Sequence, residues 1–493
     1  MKNNKINVLF KRLSLLVLAF GALPAGLLAQ SGVWTSTTSG NWSDTTKWSG
    51  GTVADGIGSI ADFSTLDITT ATTVTLDTSH TNGSFLFADL IPNNNWTMAA
   101  SGGSILTLNN GLNAPMINVS NQTATFTVPL AGTNGLTKIG GGQLTLSATN
   151  SFSGGLVVNS GTILLNTVGS TGTPLIPTTN SITMGGGALN ITAPGNTGTT
   201  TQTFSNLTVN AGQSSFYNAR NANDKLQFTI TGTIGRSAGA TIDVPGYSSG
   251  NDLTTSTSGT VPAGIVLANG VAYFTGGGFS DWDGKTGTTI REGGLNNTIV
   301  YTASTSNSLA GNADISSGTN LTTLAANTKI TSLRDVRAQL TTIDLGGFTL
   351  TNGGTLVSGA VTAGNGLTIT NGTLVGPGSG QDVVIIQNGA GAVTVAAAIA
   401  DNGGASALTK SAGGALILSG NNTFSGATYL NAGTIQVGNG GTSGGISNSP
   451  SVITRGGLLS FNRSDLVGYS GVISGSGTLT KSGGGRLVLS GDS

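Results

Sequence analysis

The chain has 493 residues, 80 of them glycine, and only 8% are charged, against about 25% in ordinary soluble domains. Lys+Arg and Asp+Glu number 19 each, with one histidine and no cysteine. This excludes a disulfide framework, a thiolate metal site, a histidine metal cluster and the basic surface that nucleic acid requires. Hydrophobic residues still make up 37%, enough and regularly enough spaced for a core, so the chain is not a disordered glycine–serine polymer.

The first element is a targeting segment. Lys2, Lys5, Lys11 and Arg12 form a basic start, Leu13 to Leu28 is nearly unbroken apolar sequence interrupted by Pro24, and Ala29 supplies a small residue for cleavage after it. The apolar run is shorter than the roughly 20 residues of a membrane span, so a signal peptide is expected over 1–29. Its removal lowers Lys+Arg from 19 to 15 against 19 Asp+Glu, a net charge of −4.

Over 30–100, Trp34, Trp42 and Trp48 fall within fifteen residues. Two readings are open: a platform on which sugars stack, or a cap covering the first coil of a stacked sheet, with the cap favoured because indoles bury much area. From Phe85 onward the sequence consists of short alternating runs such as Gln143-Leu144-Thr145-Leu146, parted by Gly, Asn, Thr and Ser. Period two places Leu144 and Leu146 on one strand face. No window carries a helical period beyond the signal, so an all-β protein is expected.

An internal repeat organises the rest. Leu136-Thr137-Lys138, three glycines, Leu144-x-Leu146, Asn150, Phe152, Gly154 and Gly161-Thr162-Ile163 recur at the same offsets as Leu408-Thr409-Lys410, Gly413-Gly414, Leu416-x-Leu418, Asn422, Phe424, Gly426 and Gly433-Thr434-Ile435. A third copy runs from Leu479 through Leu487 and Leu489 to Ser493. Equivalent positions recurring by translation favour stacked parallel coils at about 4.8 Å, with like residues over like. Identical charges stacked at that spacing repel, whereas Thr, Ser and Asn ladders hydrogen-bond, and glycine supplies the corners. Asn-Gly pairs such as Asn110-Gly111 keep an antiparallel hairpin arrangement as the alternative.

The expected division is therefore a β-solenoid over 101–200 with the first repeat, divergent coils with loop excursions over 201–390, and a solenoid over 391–493 with the second and third copies, the whole forming one continuous stack. Leu136, Leu144, Leu146, Phe152, Ile163, Leu408, Leu416, Leu418, Phe424, Ile435, Leu479, Leu487 and Leu489 are its expected core. The recurrent lysines Lys138, Lys410 and Lys481 are read as solvated at strand edges, and Arg334, Asp335 and Arg337 as a solvated loop.

These motifs resemble the autotransporter-associated β-strand repeat, also called the passenger-associated transport repeat. The resemblance is specific over about 80 residues of repeat and compositional elsewhere. It implies a right-handed parallel β-helix, exported and displayed at the cell surface or secreted, as part of the passenger or stalk of a surface protein. It also implies an outer-membrane translocator barrel, which this sequence does not contain, so the chain reads as a fragment.

Catalytic chemistry is thinly represented. His80 lies in a polar stretch and reads as a surface loop residue. The best acidic cluster is Asp281-Trp282-Asp283 with Glu292, which matches positions 1, 3 and 12 of a calcium loop but has Lys285 and Thr286 at positions 5 and 6. It is kept as a ligand patch for an extracellular polysaccharide, the alternative reading being a polysaccharide-binding or polysaccharide-cleaving β-helix. No catalytic, cofactor or metal residue is assigned, and a non-enzymatic protein is expected.

Overall fold

The computed structural model describes residues 29–168, 174–192, 199–219, 225–243, 252–255, 272–273, 291–292, 302–303, 309–315, 323–330, 332–335, 339–357 and 363–492. Among them every paired strand is parallel to its neighbour, and regular helix is confined to two single 3-10 turns, Thr45–Lys47 and Ser49–Gly51. The hairpin alternative is thereby set aside, and the fold is a parallel β-solenoid. Successive coils advance 20 and then 26 residues, since Leu136 pairs with Leu156 and Leu156 with Ile182.

Strands fall into two stacks. In the N-terminal one, a nine-stranded sheet runs from Gly32–Val33 through Leu136–Ile139 to Ile234–Arg236, and a ten-stranded sheet from Gly40–Asn41 through Gln143–Leu146 to Ala272–Tyr273. In the C-terminal stack, a nine-stranded sheet runs from Thr302–Ala303 through Leu408–Ser411 to Val472–Gly475. A seven-stranded one runs from Thr341–Asp344 through Ala415–Leu418 to Thr478–Lys481. Alternation explains the interior: Leu144 stacks on Ile163 and Leu189, and Leu416 on Ile435 and Leu459, all fully buried.

The first coils are closed by aromatic rings. Trp34, Trp42 and Trp48 are 0%, 0% and 2% exposed, and their ring centroids lie 5.6–5.9 Å from that of Phe63. Indoles held edge-on in a core have no face left for a sugar, so the stacking-platform reading fails here.

Among the described residues the strands do not form one continuous stack. No described strand of one stack pairs with a strand of the other; the two meet flank to flank. Arg236 Nη1 and Nη2 lie 2.5 and 2.7 Å from the two oxygens of Asp382, and the Gly239 amide donates to Asp382 Oδ2 and Thr409 Oγ1 at 3.2 and 3.1 Å. Thr241 and Ser411 share a hydrogen bond of 2.8 Å, Asn431 Nδ2 donates to Gly239 O at 2.8 Å, and the Ala412 amide donates to Gln213 Oε1 at 3.0 Å. Gly239, with φ +83°, rests on the Tyr429 ring, where a Cβ would stand 2.5 Å from ring carbons. Val384, Ile386 and Ala412 join the apolar core of the N-terminal stack. The joint also explains why Val383–Gln387 and Leu408–Ser411 are buried at every position: one face lines their own coil and the other covers the neighbouring stack.

Arg334 and Asp335 depart from the solvated-loop reading. They lie in the strand Ser332–Asp335, 2% and 0% exposed, and pair in register with Asp314 and Ile315. Arg337 lies outside the described residues.

Candidate functional site

The repeat is a two-strand corner. In the first copy Leu136–Ile139 lies on one face of the coil and Gln143–Leu146 on the next, joined through Gly140 at φ +80°; in the second, Leu408–Ser411 and Ala415–Leu418 are joined through Ala412 at φ +64°. The turn leaves carbonyls pointing inward, where neither ladder can use them. The lysine solves this. Lys138 Nζ donates to the carbonyls of Ile139, Gly140 and Ser160 at 2.7, 2.9 and 3.4 Å. Lys410 Nζ donates to those of Ser411, Ala412 and Ala432 at 2.7, 2.7 and 3.4 Å. Both cages are built from the residues one, two and twenty-two positions after the lysine.

Lys138 and Lys410 are thus 0% exposed, which corrects the solvated strand-edge assignment. The alternation itself contained the signal, because Lys138 is two residues from Leu136 and shares its inward face. Burial pushes the Lys138 amine down to about 8 and that of Lys410 to about 7.

A second recurrent device is the asparagine after the corner. Asn150 Oδ1 accepts the Leu130 amide at 3.0 Å, from the coil before, and its Nδ2 donates to Leu175 O at 2.9 Å, in the coil after. Asn422 does the same, accepting the Ile399 amide and donating to Gly445 O, each at 2.8 Å. One side chain so staples three coils. Replacing Asn422 with Ala orphans a buried amide and is expected to cost about 2 kcal/mol. Urea unfolding of that variant beside an exposed control, Asn448→Ala, checks it; equal midpoints would count against the staple.

Of the expected core, the ten residues of the first two copies are all at most 1% exposed. The third copy differs. Leu479 and Leu489 are 39% and 45% exposed and Leu487 is only partly covered, since no further coil lies over them among the described residues. Leu479 pairs with Leu459, in the column of Leu416 and Ile435, not in that of Leu408. Its corner is therefore turned one face around the solenoid axis, and Lys481 is exposed, donating to Gly483 O.

His80 is not in a surface loop. It opens the strand His80–Asn82, its side chain is 10% exposed, and its ring centroid is 5.5 Å from that of Trp42. Nε2 shares a hydrogen bond of 3.0 Å with Thr78 Oγ1, and Nδ1 lies 3.1 Å from Asp55 Oδ2. A hydroxyl, an imidazole and a carboxylate side by side invite comparison with a nucleophilic triad, but the His80 Nδ1 that faces Asp55 makes no hydrogen bond. Asp55 accepts the Gly56 and Thr81 amides at 2.8 and 2.9 Å through Oδ1, so the group ties adjoining coils together. Among the described residues there is no group of three or more potential metal ligands. The Asp281-Trp282-Asp283 patch lies outside the described residues, as does the side chain of Glu292, whose backbone pairs with Thr255.

The corner geometry defines a class, the parallel β-solenoid built on a recurring Leu-Thr-Lys turn. Comparison with known proteins gives that turn its family: the passenger-associated-transport-repeat matches residues 136–165, 408–437 and 479–493, and the chain carries this repeat. It is also similar to the adhesin BmaC autotransporter of Brucella suis biovar 1 (strain 1330), 49% identical over 85 residues. That match covers 17% of this chain and 2% of the relative, so the chain corresponds to a small part of that protein's length. No solved structure matches the chain.

Proposed function

We propose that the chain is a stretch of passenger in an autotransporter-like surface protein: a non-enzymatic solenoid that supports its own passage to the cell exterior and then serves as a stalk. The observation that carries this reading is the identity of the two complete repeat corners, each with its caged lysine and its stapling asparagine. Repetition of a load-bearing joint is what a rod needs; a catalytic site needs to be built only once.

The mechanism follows from the stacking. Each coil finds on the previous one a preformed ladder of amides and carbonyls and an apolar column, so folding proceeds by addition at an end. A coil that has emerged and docked cannot slip back without breaking its ladder, and successive docking biases movement outward. An outer-membrane translocator is the expected partner in that passage. Export begins with the segment 1–29, and the destination is the cell surface.

The test uses the full-length protein in cells. Asn150→Ala combined with Asn422→Ala is expected to lower the fraction accessible to external protease severalfold while leaving total synthesis unchanged. Equal surface exposure in the two forms would overturn the role of the repeats in transport. Incubation with acidic and neutral polysaccharides, with and without calcium, is expected to release neither reducing ends nor unsaturated products; release would overturn the non-enzymatic reading.

A further inference from the structure

Beside the joint between the stacks opens a cleft of about 560 Å³, walled by the N-terminal stack on one side and by the C-terminal stack on the other. Its size falls in the range of small-ligand sites, roughly 300–1,000 Å³. It exists only because the two stacks lie side by side, held by Arg236–Asp382 and by Asn431 on Gly239.

The lining mixes apolar surface with polar side chains from both stacks. Asn159 and Gln213 come from one stack, and Asn431, Thr454, Arg455 and Ser476 from the other. Several of these groups have no work in the fold. The Arg455 guanidinium and the Asn159 amide are exposed and make no side-chain hydrogen bond or ion pair with described residues, and Gln213 Nε2 is likewise free. Asn431 is 4% exposed, donates through Nδ2 to both Gly239 O and Ser411 Oγ, and leaves its buried Oδ1 without a partner.

We propose that this cleft binds a carboxylate-bearing oligosaccharide. The guanidinium offers a planar fork matched to a carboxylate. Amides and hydroxyls on both walls match the donors and acceptors of a sugar ring. Charge favours an anion locally, because no acid lines the cleft even though the chain beyond Ala29 carries a net −4. No residue of the Asp281–Glu292 patch is among the lining residues, and the proposal does not depend on the role of the repeats in transport.

Isothermal titration of the full chain with tetragalacturonate, with sialyl-lactose, and with the neutral probes maltotetraose and lactose tests the proposal. Saturable binding of at least one acidic probe is expected, at least tenfold tighter than its neutral counterpart. Arg455→Ala should weaken it tenfold or more, Asn159→Ala severalfold, while Arg486→Ala, an exposed arginine away from the cleft, leaves it unchanged. Which acidic probe binds distinguishes a uronate from a sialic acid source. Binding of neither acidic probe, equal binding of the neutral ones, or affinity unchanged in Arg455→Ala would overturn it.

Discussion

Replacing Lys410 with Met is expected to lower stability by about 2–3 kcal/mol, although the change removes a buried charge. Two effects compete. An ammonium withdrawn from water is costly, and substitution of buried charges by apolar groups is often neutral or favourable. Here, however, the ammonium is the donor for the carbonyls of Ser411, Ala412 and Ala432, and a thioether leaves all three without a partner. A buried polar group left unpaired costs about 1–3 kcal/mol, so three of them outweigh the relief. Lys481→Met provides the internal comparison: the same motif, but exposed, and with an expected change near zero. Urea denaturation of both variants decides it, and a Lys410→Met protein as stable as the parent would remove the cage from the account.

The cages also set a pH dependence. Both amines titrate lower in the folded chain, at about 7 for Lys410 and about 8 for Lys138, than the unfolded 10.5. Between those values the unfolded chain binds more protons, so stability rises with pH. The rise should begin near pH 7 and continue toward pH 10. Above that, Tyr469 acts in the opposite sense: burial raises its phenol from 10.0 to about 12, so the folded state holds the proton longer and loses ground as pH climbs. Melting temperature measured from pH 7 to 9.5 should increase in the parent and increase less in Lys410→Met; a flat or falling profile in the parent would contradict the assignment.

Much of the solenoid was legible because its rules are local. Period-two alternation placed Leu144, Leu146, Leu416 and Leu418 inside, and constant offsets between copies implied stacking. The same alternation placed Lys138 beside Leu136, yet a lysine reads as solvent-facing by default, and only the inward carbonyls of the corner make its burial tolerable. The turned third copy depended on loop lengths that pattern alone does not fix. Three coils beyond Leu408 the chain reaches Ile473, by way of Thr428 and Val452, six residues short of Leu479. That offset carries the motif on to the next face. The joint between the stacks left one trace in the sequence, the unalternating run Val383-Val384-Ile385-Ile386, which marks a strand covered on both sides. Nothing local says what covers it, since Arg236 and Asp382 are 146 residues apart. The cleft residues were illegible for the same reason: Asn159 and Arg455 become neighbours only when the stacks meet.

Asp382→Ala is expected to be the most damaging single change at that joint, at about 3–5 kcal/mol. The carboxylate is 1% exposed and takes both guanidinium nitrogens of Arg236, the Gly239 amide and the Thr409 hydroxyl. Burial alone would raise its pKa, but Arg236 foremost, then Thr409 and Gly239, hold it below 3.8. Its removal strands a guanidinium that is 13% exposed together with two further donors. The stacks should then part while each keeps its own ladders, so circular dichroism changes little and the radius of gyration from small-angle scattering grows. Asp382→Leu with Arg236→Met, which removes both charges and refills the space, should recover most of the loss. Linkage gives an independent reading: with the folded pKa depressed, the pair contributes fully above about pH 4 and fades as pH falls through the folded value. Acid should therefore open the parent as the substitution does at neutral pH. An Asp382→Ala protein whose scattering profile and unfolding midpoint match the parent's would mean that the two stacks do not depend on this pair.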